Sequence, residues 1–384
     1  MKPVRCARGI TATSLLLLAA SCAPDTTSPG TPGRNRPSGL LGPRANVPGT
    51  VGARSVSPFE PGSAGAPSFS VGPSLAASLQ ALTTNCTFTT AGTTMKLDAD
   101  CTTDATIFIP DGLTLDGRKH TITAVDPVGG HFVGAVVQNA GAVAHVKNLG
   151  VTASNLANVC DAGALRLRGI MLEGASGTIQ KNTVTGINQG ASGCQEGNAI
   201  EVRNAPFDGT HPNTMTVVIR HNTVDAYQKT GIVTNGDVSA RIEENDVGAS
   251  ATQANLAANG IQAGFGAIAR IGHNDVAGNS WCCADAAATA ILVFAATGAD
   301  VSHNDLGGNA DVGIYFDESS GGGAIQHNKV YESGPDGFYD VGIGDYGVGN
   351  DNRKNDVCGY DIPYEGNLGV GNTVCEEGGG EDDD

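Results

Sequence analysis

The chain of 384 residues is short of aromatic residues, of basic residues and of long apolar runs. Phenylalanine, tyrosine and tryptophan make up 5% of it, and Trp281 is the only tryptophan. The apolar run at 15–20 is too short to span a bilayer as a helix. With 22 basic against 39 acidic residues, the formal net charge is −17. A protein this acidic repels nucleic acid and other polyanions, so we expect no nucleic-acid partner.

Two further features are missing. The first argues against a kind of metal site, and the second argues against two fold classes. No Cys-x-x-Cys spacing occurs among the ten cysteines, which argues against a zinc site of that kind. No amphipathic stretch of helical length separates the apolar runs, which argues against βαβ units and helical solenoids. Glycine is abundant instead, with 55 residues and no collagen-like period. This composition suits an all-β fold with many tight turns.

The N-terminus has the features of an export signal. A basic start, a short apolar run and small residues follow one another in "MKPVRCARGITATSLLLLAASCAPDTT". The segment "LAASC" resembles the lipobox of bacterial lipoproteins, which implies that 1–22 is a leader and that Cys22 carries a lipid. The alternative is an ordinary signal peptide. Either interpretation predicts an exported protein, in the cell envelope or secreted, whose only membrane attachment is the lipid.

Three more segments follow the leader. Residues 23–79 are rich in proline, glycine and serine without apolar periodicity, so we expect a disordered stalk. Residues 80–375 carry the apolar pattern and form the expected folded domain, which we expect to be monomeric. Residues 376–384, "EEGGGEDDD", form an acidic tail.

Eight cysteines remain beyond the leader, and an even number in an exported chain indicates disulfides. Eight cysteines allow 105 pairings, so spacing alone does not fix the connectivity. Cys282 and Cys283 are adjacent and either bond to each other or stay reduced. Sequence proximity favours these pairs: Cys86–Cys101, Cys160–Cys194 and Cys358–Cys375.

An internal repeat is the strongest pattern in the chain. Hexads such as "IRHNTV" at 219–224, "IGHNDV" at 271–276 and "IQHNKV" at 325–330 recur along it. Their asparagines form one column: Asn182, Asn222, Asn245, Asn274, Asn304, Asn328 and Asn355. A second column precedes it: Ile170, Ile200, Ile232, Ile261, Ile291 and Ile314. The spacing between the columns is nearly constant, apart from an insertion at 204–214.

Short parallel strands without crossover helices leave a coil that stacks on itself. We therefore predict a right-handed parallel β-helix of about nine coils with a ladder of asparagines at its turns. In each hexad the aliphatic residues point inward. The asparagine occupies a left-handed bend, and its amide bonds to the amides of neighbouring coils.

The repeats and the stretch "ATIFIPDGLTLDGRKHTITA" at 105–124 resemble the pectin-lyase-like superfamily over most of 86–360. That resemblance implies the β-helix fold but no single activity, since the architecture hosts lyases, hydrolases, epimerases, adhesins and accessory proteins. The superfamily's catalytic sets are missing: no Asn-Thr-Asp with Gly-His-Gly, no Arg-x-Pro-x-x-Arg and no Asp-Pro-His occurs.

Alternation outward from the isoleucine column predicts a polar strip on one sheet. We assign Glu201 and Asp317 as candidate general acid or base and Arg203 as a group that neutralises a uronate. The alternative is a solvated sheet face with ordinary charge pairs. The candidate substrate-binding residues, together with Phe294, are Arg168, Glu173, Asn235, Gln262, Tyr315 and Tyr339.

The residue before each asparagine forms a third column with four histidines. The hypothesis is a copper or zinc ladder at His273, His303 and His327, with Asp275 and Asp305 beside it. The alternative is a tolerant polar corner, because lysine and glutamate also occupy the column. Calcium is a further hypothesis, with a solvated loop as the alternative, because the spacing of the acidic residues matches neither an EF-hand loop nor the nonapeptide calcium repeat. The acidic group concerned comprises Glu332, Asp336, Asp340, Asp345 and Asp351.

Three functions follow from these patterns. The first is an exported, lipid-anchored protein that binds, and in one version processes, polysaccharide at the cell envelope. The second is a non-enzymatic scaffold or adhesin. The third is a copper accessory protein, resembling the periplasmic β-helix proteins of nitrous oxide reductase maturation.

Overall fold

The computed structural model describes residues 84–207, 213–251, 256–333 and 339–375. Almost all regular structure in these residues is β-strand, with a single 3-10 turn at Gly163–Leu165. The predicted leader with Cys22, the stalk and the acidic tail lie outside the described residues. No helix in the described part is long and apolar enough to cross a membrane.

The strands form three long sheets, which we name A, B and C. Sheet A contains β1 (Phe88–Ala91), β2 (Thr94–Leu97), β5 (Leu113–Asp116), β8 (Val143–Lys147), β11 (Ser176–Gln180), β14 (Met215–Arg220), β17 (Val238–Glu243), β20 (Ile268–Gly272), β23 (Asp300–Ser302), β26 (Ala324–Gln326) and β29 (Asp351–Arg353). Sheet B contains β3 (Cys101–Thr103), β6 (Thr121–Ala124), β9 (Gly150–Ala153), β12 (Thr183–Thr185), β15 (Thr223–Asp225), β18 (Asp246–Val247), β21 (Asp275–Ala277), β24 (Asp305–Gly307), β27 (Lys329–Tyr331), β30 (Asp356–Cys358) and β32 (Thr373–Val374). Sheet C contains β4 (Ile107–Ile109), β7 (Ala135–Asn139), β10 (Arg168–Glu173), β13 (Asn198–Asn204), β16 (Thr230–Gly236), β19 (Asn259–Gly264), β22 (Thr289–Phe294), β25 (Val312–Phe316), β28 (Val341–Asp345) and β31 (Ile362–Gly366).

Each coil contributes one strand to each sheet, and like residues stack on like residues. Ile200 pairs with Ile232, and Ile232 pairs with Ile261. The strand pairs are parallel except β1 with β2, which closes the N-terminal end. The stacked aliphatic residues form one continuous buried core along the molecule. The predicted parallel β-helix is confirmed.

The coil count differs slightly from the prediction. Sheet C has ten strands in the described part of the chain, so the helix has ten coils rather than about nine. Three coils lie before the first recognisable hexad, and in the last of them Leu149 takes the place of the ladder asparagine. Its backbone N–H still donates to Asn182 Oδ1 at 3.1 Å. Because leucine occupies the ladder position in this coil, the asparagine column of the sequence does not include it.

The asparagine ladder forms, but the left-handed bend belongs to the residue before each asparagine. Asn274 Nδ2 donates to Asn304 Oδ1 at 3.0 Å and to the backbone O of Ile242 at 2.9 Å. The preceding His273 has φ 55°, whereas the ladder asparagines are not among the described residues with positive φ. The prediction that asparagine itself adopts the left-handed conformation was wrong. The asparagine side chain bridges neighbouring coils, and the asparagine backbone does not need the left-handed conformation to place it there.

The cysteines of the folded part are all paired. The structure joins Cys86 to Cys101, Cys160 to Cys194 and Cys358 to Cys375, the pairs that sequence proximity favours. Cys282 bonds to its neighbour Cys283, which decides between the two alternatives for this pair.

Candidate functional site

The predicted strip lies on the outer face of sheet C, as alternation indicates, but it is covered rather than solvated. Arg168, Glu201 and Asn235 are fully buried, and Gln262 is nearly so. Part of the cover comes from the long loops that lead from sheet B into sheet C. Arg168 Nη2, for example, donates to the backbone O of Gly163 at 3.1 Å. Sequence alternation gives the direction of a side chain, but it says nothing about a loop folded over it.

A chain of alternating charges crosses strands β10 and β13. Arg168 Nε donates to Glu201 Oε2 at 2.5 Å, and Asn198 Nδ2 donates to the same oxygen at 2.8 Å. Arg203 Nε bonds to Glu173 Oε2 and lies 3.8 Å from Glu201 Oε1. Both guanidinium groups therefore already have carboxylate partners. The assignment of Arg203 as a group that neutralises a uronate loses its basis, because its charge is engaged within the protein.

The two carboxylates beside Arg203 differ in their electrostatics. Burial pushes the pKa of Glu201 upward, but the positive charges of Arg168 and Arg203 outweigh it and hold the pKa below its usual value. Burial also acts on Glu173, where it outweighs the attraction of Arg203 and raises the pKa. Glu173 is the more accessible of the two, with 28% of its side chain exposed. Glu201 is therefore an ionised structural carboxylate, and Glu173 is the one that faces solvent.

Several buried polar atoms on this face have unused hydrogen-bonding capacity. Within the described residues, Oδ1 and Nδ2 of Asn235, Oε1 of Glu201 and Oδ1 of Asn198 have no hydrogen-bond partner. Asn235 follows Arg203 in the same column of the sheet. Buried polar groups are normally satisfied by protein, water or ligand, so these atoms have capacity for further hydrogen bonds to water or to a ligand.

Three phenylalanine rings lie side by side along the margin where the strands of sheet C end. Phe207 stacks on Phe265 with ring centroids 5.7 Å apart, and Phe265 meets Phe294 edge-on at 5.6 Å. The row is continuous because Gly236, with φ 83°, has no side chain: a Cβ there would lie 2.7 Å from Phe207 Cδ1. All three rings are half-buried. We call Phe207, Phe265 and Phe294 the phenylalanine row.

Asp317 lies apart from the other candidate catalytic residues. It follows β25, four strands from β13, which is about 19 Å at the usual strand spacing. Its carboxylate accepts hydrogen bonds from the backbone N of Ala295 at 2.9 Å and from the hydroxyls of Ser319 and Ser320. It holds a turn, and it is too far from Glu201 for the two to act on one glycosidic bond.

The tyrosines of the strip belong to an apolar cluster on the outer face. Tyr315 and Tyr339 pack with Leu292, Val312 and Val341. The hydroxyl of Tyr339 donates to the backbone O of Ala284 at 3.1 Å, which ties the cluster to the loop at 278–288. These tyrosines hold loop to sheet and do not line an open groove.

The histidine column forms a stack rather than a ligand cage. The rings of His273 and His303 are 5.1 Å apart, and those of His303 and His327 are 4.8 Å apart, with interplanar angles of 22° and 11°. The nitrogens of parallel rings lie in parallel planes, so they do not converge on one ion about 2 Å away from each. Among the described residues no three His, Cys, Asp or Glu side chains are placed to hold a metal.

Among the described residues, the acidic group at 332–351 contains no cluster of three carboxylates placed to hold a metal ion. Asp345 accepts bonds from Asn350 and Asn367, Asp340 accepts the backbone N of Asp361, and Asp351 pairs with Arg353. Asp336 lies outside the described residues. These carboxylates fit turns and ion pairs better than a shared calcium ion.

Sequence reasoning missed two features of this face. The phenylalanine row is the first: its residues come from different coils, with a glycine between them. Only Phe294 was part of the strip predicted from the sequence. Lys229 is the second: it is buried, and its Nζ donates to the backbone O of Ala257 at 2.6 Å. Burial lowers the pKa of this ammonium group to about 7. Nothing near Lys229 in the sequence indicates that it is buried.

No protein-family model matches the chain, and no curated protein matches it. Among solved structures, the chain is similar to the Dettilon tailspike protein gp208, with 15% identity, a TM-score of 0.39 and coverage of 73% of this chain and 54% of that one. It is also similar to a mutant of the periplasmic alginate epimerase AlgG, with 12% identity, a TM-score of 0.41 and coverage of 69% and 68%. The chain thus spans about half the length of the tailspike chain. The fold assignment rests on the three parallel sheets themselves.

Proposed function

We propose that this protein binds a polysaccharide along the margin of sheet C. One observation supports the proposal above the others: the half-buried phenylalanine row lies beside polar groups with unused hydrogen-bonding capacity. Sugar rings offer apolar C–H faces to aromatic side chains and hydroxyls to polar ones. Binding sites typically combine such an apolar surface with a few placed polar groups.

The shape of the margin suits a chain-like ligand. The row follows the direction in which coils stack, so an extended glycan contacts one coil after another. Glu173 lies at the N-terminal side of the row and accepts hydrogen bonds from hydroxyls. The proposal concerns binding only, because the carboxylates of Glu201 and Asp317 do not form an acid–base pair.

Glycan-array binding of the full chain tests the proposal, with Phe294→Ala and Phe265→Ala as the site variants. We expect each variant to lose roughly tenfold or more in affinity for the best ligand, because a large buried contact disappears. Phe108→Ala is the matched control, since Phe108 is 55% exposed on β4 of the same sheet and away from the row. An array without any binding, or equal losses in all three variants, contradicts the proposal and leaves the rigid scaffold as the better account.

We also propose that the protein is exported and anchored by a lipid on Cys22. The four disulfides support an oxidising compartment, since such bonds form and persist outside the cytosol. Labelling with a radioactive fatty acid in the producing cell tests the anchor. Label in the wild type that disappears in Cys22→Ser supports it, and equal label in both contradicts it.

A further inference from the structure

We propose that the glycan held at this margin is uncharged, with hydroxyl groups rather than carboxylates in contact with the protein. This inference rests on the proposed function and specifies its substrate class. It opposes the expectation that Arg203 receives a uronate.

A ligand that reaches this margin meets a negative charge before any positive one. Among the charge-chain residues, Glu173 is the accessible one, with 28% of its side chain exposed, against 7% for Arg203 and 1% for Arg168. Arg203 lies behind Glu173 and is bonded to it. An arriving ligand therefore meets a carboxylate and phenyl rings, while the cations behind them are already paired. A uronate at this place is repelled by Glu173 without gaining a free guanidinium partner.

The donors and acceptors on this face favour the same ligand class. Asn198 Oδ1 and Asn235 Oδ1 are buried acceptors without a partner and Asn235 Nδ2 is a buried donor without one, whereas Glu201 Oε1 faces Arg203 Nε at 3.8 Å. The bond that Asn198 Nδ2 donates to Glu201 fixes the orientation of the Asn198 amide, with its oxygen unpartnered. A carboxylate ligand offers acceptors only, whereas a hydroxyl donates and accepts. The unused capacity therefore matches hydroxyl groups, directly or through water.

The rest of the same face also carries negative charge. Beyond the phenylalanine row, the next coils carry Asp317 and the exposed Glu318. A polyuronate that follows the coils towards the C-terminus meets these negative charges, and the formal net charge of −17 adds to the repulsion. An uncharged chain runs along the same path without that cost.

A matched pair of ligands tests the inference: a polyuronate, and the same polymer after chemical reduction of its carboxyl groups to hydroxymethyl groups. The two share backbone and linkage and differ only in charge. Binding of the full chain is measured by affinity electrophoresis at low salt with EDTA, which removes bridging cations. We expect the reduced polymer to bind at least tenfold more tightly, together with neutral polymers of the array.

Two further measurements sharpen the result. Raising the salt concentration is expected to improve binding of the polyuronate several-fold, because the repulsion is screened. In Glu173→Gln the preference for the reduced polymer is expected to fall at least fivefold, since the repelling carboxylate is gone, while Arg203 keeps Glu201, 3.8 Å away, as a charged partner. Tighter binding of the polyuronate by the wild type overturns this inference while the proposed function stands. Failure of every polymer to bind overturns the proposed function and the inference with it.

Discussion

At the scale of single residues, each turn between sheets A and B divides its work between two neighbours. The asparagine of the ladder bonds to the coils on both sides, and the residue before it adopts the left-handed conformation that the bend requires. That conformation costs roughly 1–2 kcal/mol for a residue with a Cβ. The residue before the asparagine adopts it in seven successive hexads, with φ between 52° and 59°. The buried amide bonds offset this cost, which explains why the asparagine is repeated and the residue before it varies.

Replacement of Asn274 by alanine should therefore destabilise the protein strongly. The change removes five hydrogen-bond contacts of the Asn274 side chain, and it leaves buried groups of its partners unpaired; the partners are Asn304, Ile242, Gly272 and Asn245. We expect a loss of about 2–4 kcal/mol in the free energy of unfolding, measured with urea. His273→Gly is the control: it relieves the left-handed strain at φ 55° and should leave stability unchanged or slightly higher. Equal losses in the two variants contradict the ladder account.

The buried amine of Lys229 predicts a pH dependence of stability. Its pKa falls from the ordinary 10.5 to about 7 in the folded protein. Between these values the unfolded chain binds more protons at this residue, so its contribution to the free energy of unfolding rises with pH. Below pH 7 both states are protonated and the full cost of the buried charge is present.

Comparison with Lys229→Met isolates this contribution, because methionine fills similar space and does not titrate. The variant should be more stable than the wild type at pH 7. Its advantage should shrink towards pH 10 by up to about 1.4 kcal/mol per pH unit. Urea unfolding at four pH values measures the difference. A difference that does not change with pH means that Lys229 is not held as a buried amine.

At the scale of strands, the close stacking of sheet C depends on small residues at one register position. Gly231, Gly260, Gly313 and Gly342 lie one residue before the isoleucine column. A Cβ on any of them would come within 2.7 Å of a carbonyl oxygen of the next coil. The position tolerates only small residues, and Ala199 and Ala290 occupy it elsewhere.

Gly260→Ala should cost about 1–3 kcal/mol, because the added methyl lies 2.6 Å from the backbone O of Ala290 and 2.7 Å from Val276 Cγ1. Gly307→Ala is the matched control in a strand, since a Cβ there meets nothing within 4 Å. Thermal unfolding of the two variants gives the comparison. A control as damaged as Gly260→Ala indicates a general loss of backbone freedom and not a packing conflict.

The strands also show how far the sequence predicts the structure. Period-two alternation and the constant spacing of Ile232 and Asn245 suffice for the coils, because both reflect local stacking that every coil repeats. The site depends on contacts that the repeat does not encode. Phe207 reaches Phe265 across a coil because Gly236 leaves room, and loop residues such as Gly163 cover Arg168. Burial by loops arises only in the assembled solenoid. The sequence therefore predicts that the side chains of the strip point outward, but it does not predict that loops cover them.

At the scale of the whole molecule, the two ends of the helix differ. The antiparallel pair β1–β2 and the bond Cys86–Cys101 close the N-terminal end. At the other end of the described residues β32 has only two residues, although the bond Cys358–Cys375 joins the residue that follows it to β30, and Leu368, Val370 and Val374 are more than half exposed. Coils of a solenoid are stabilised mainly by their neighbours, so an end coil with one neighbour is the weakest.

Amide hydrogen exchange should reveal this asymmetry. We expect amides of β31 and β32 to exchange fastest among the strands and those of β16 and β19, in the middle of sheet C, to exchange slowest. Peptide-resolved mass spectrometry under native conditions measures the rates. Equal protection of the terminal coil and the central coils contradicts the expected weakness of the C-terminal coil.

The claim that the phenylalanine row holds a glycan is tested most directly by hydroxyl-radical footprinting of the full chain with and without the best neutral polymer. The account predicts a several-fold drop in oxidation at Phe207, Phe265 and Phe294. Oxidation of the exposed Phe108 and Tyr331, which lie away from the row, should stay unchanged. Protection at those two residues or on sheet A, with the row unaffected, would contradict the assignment of the site.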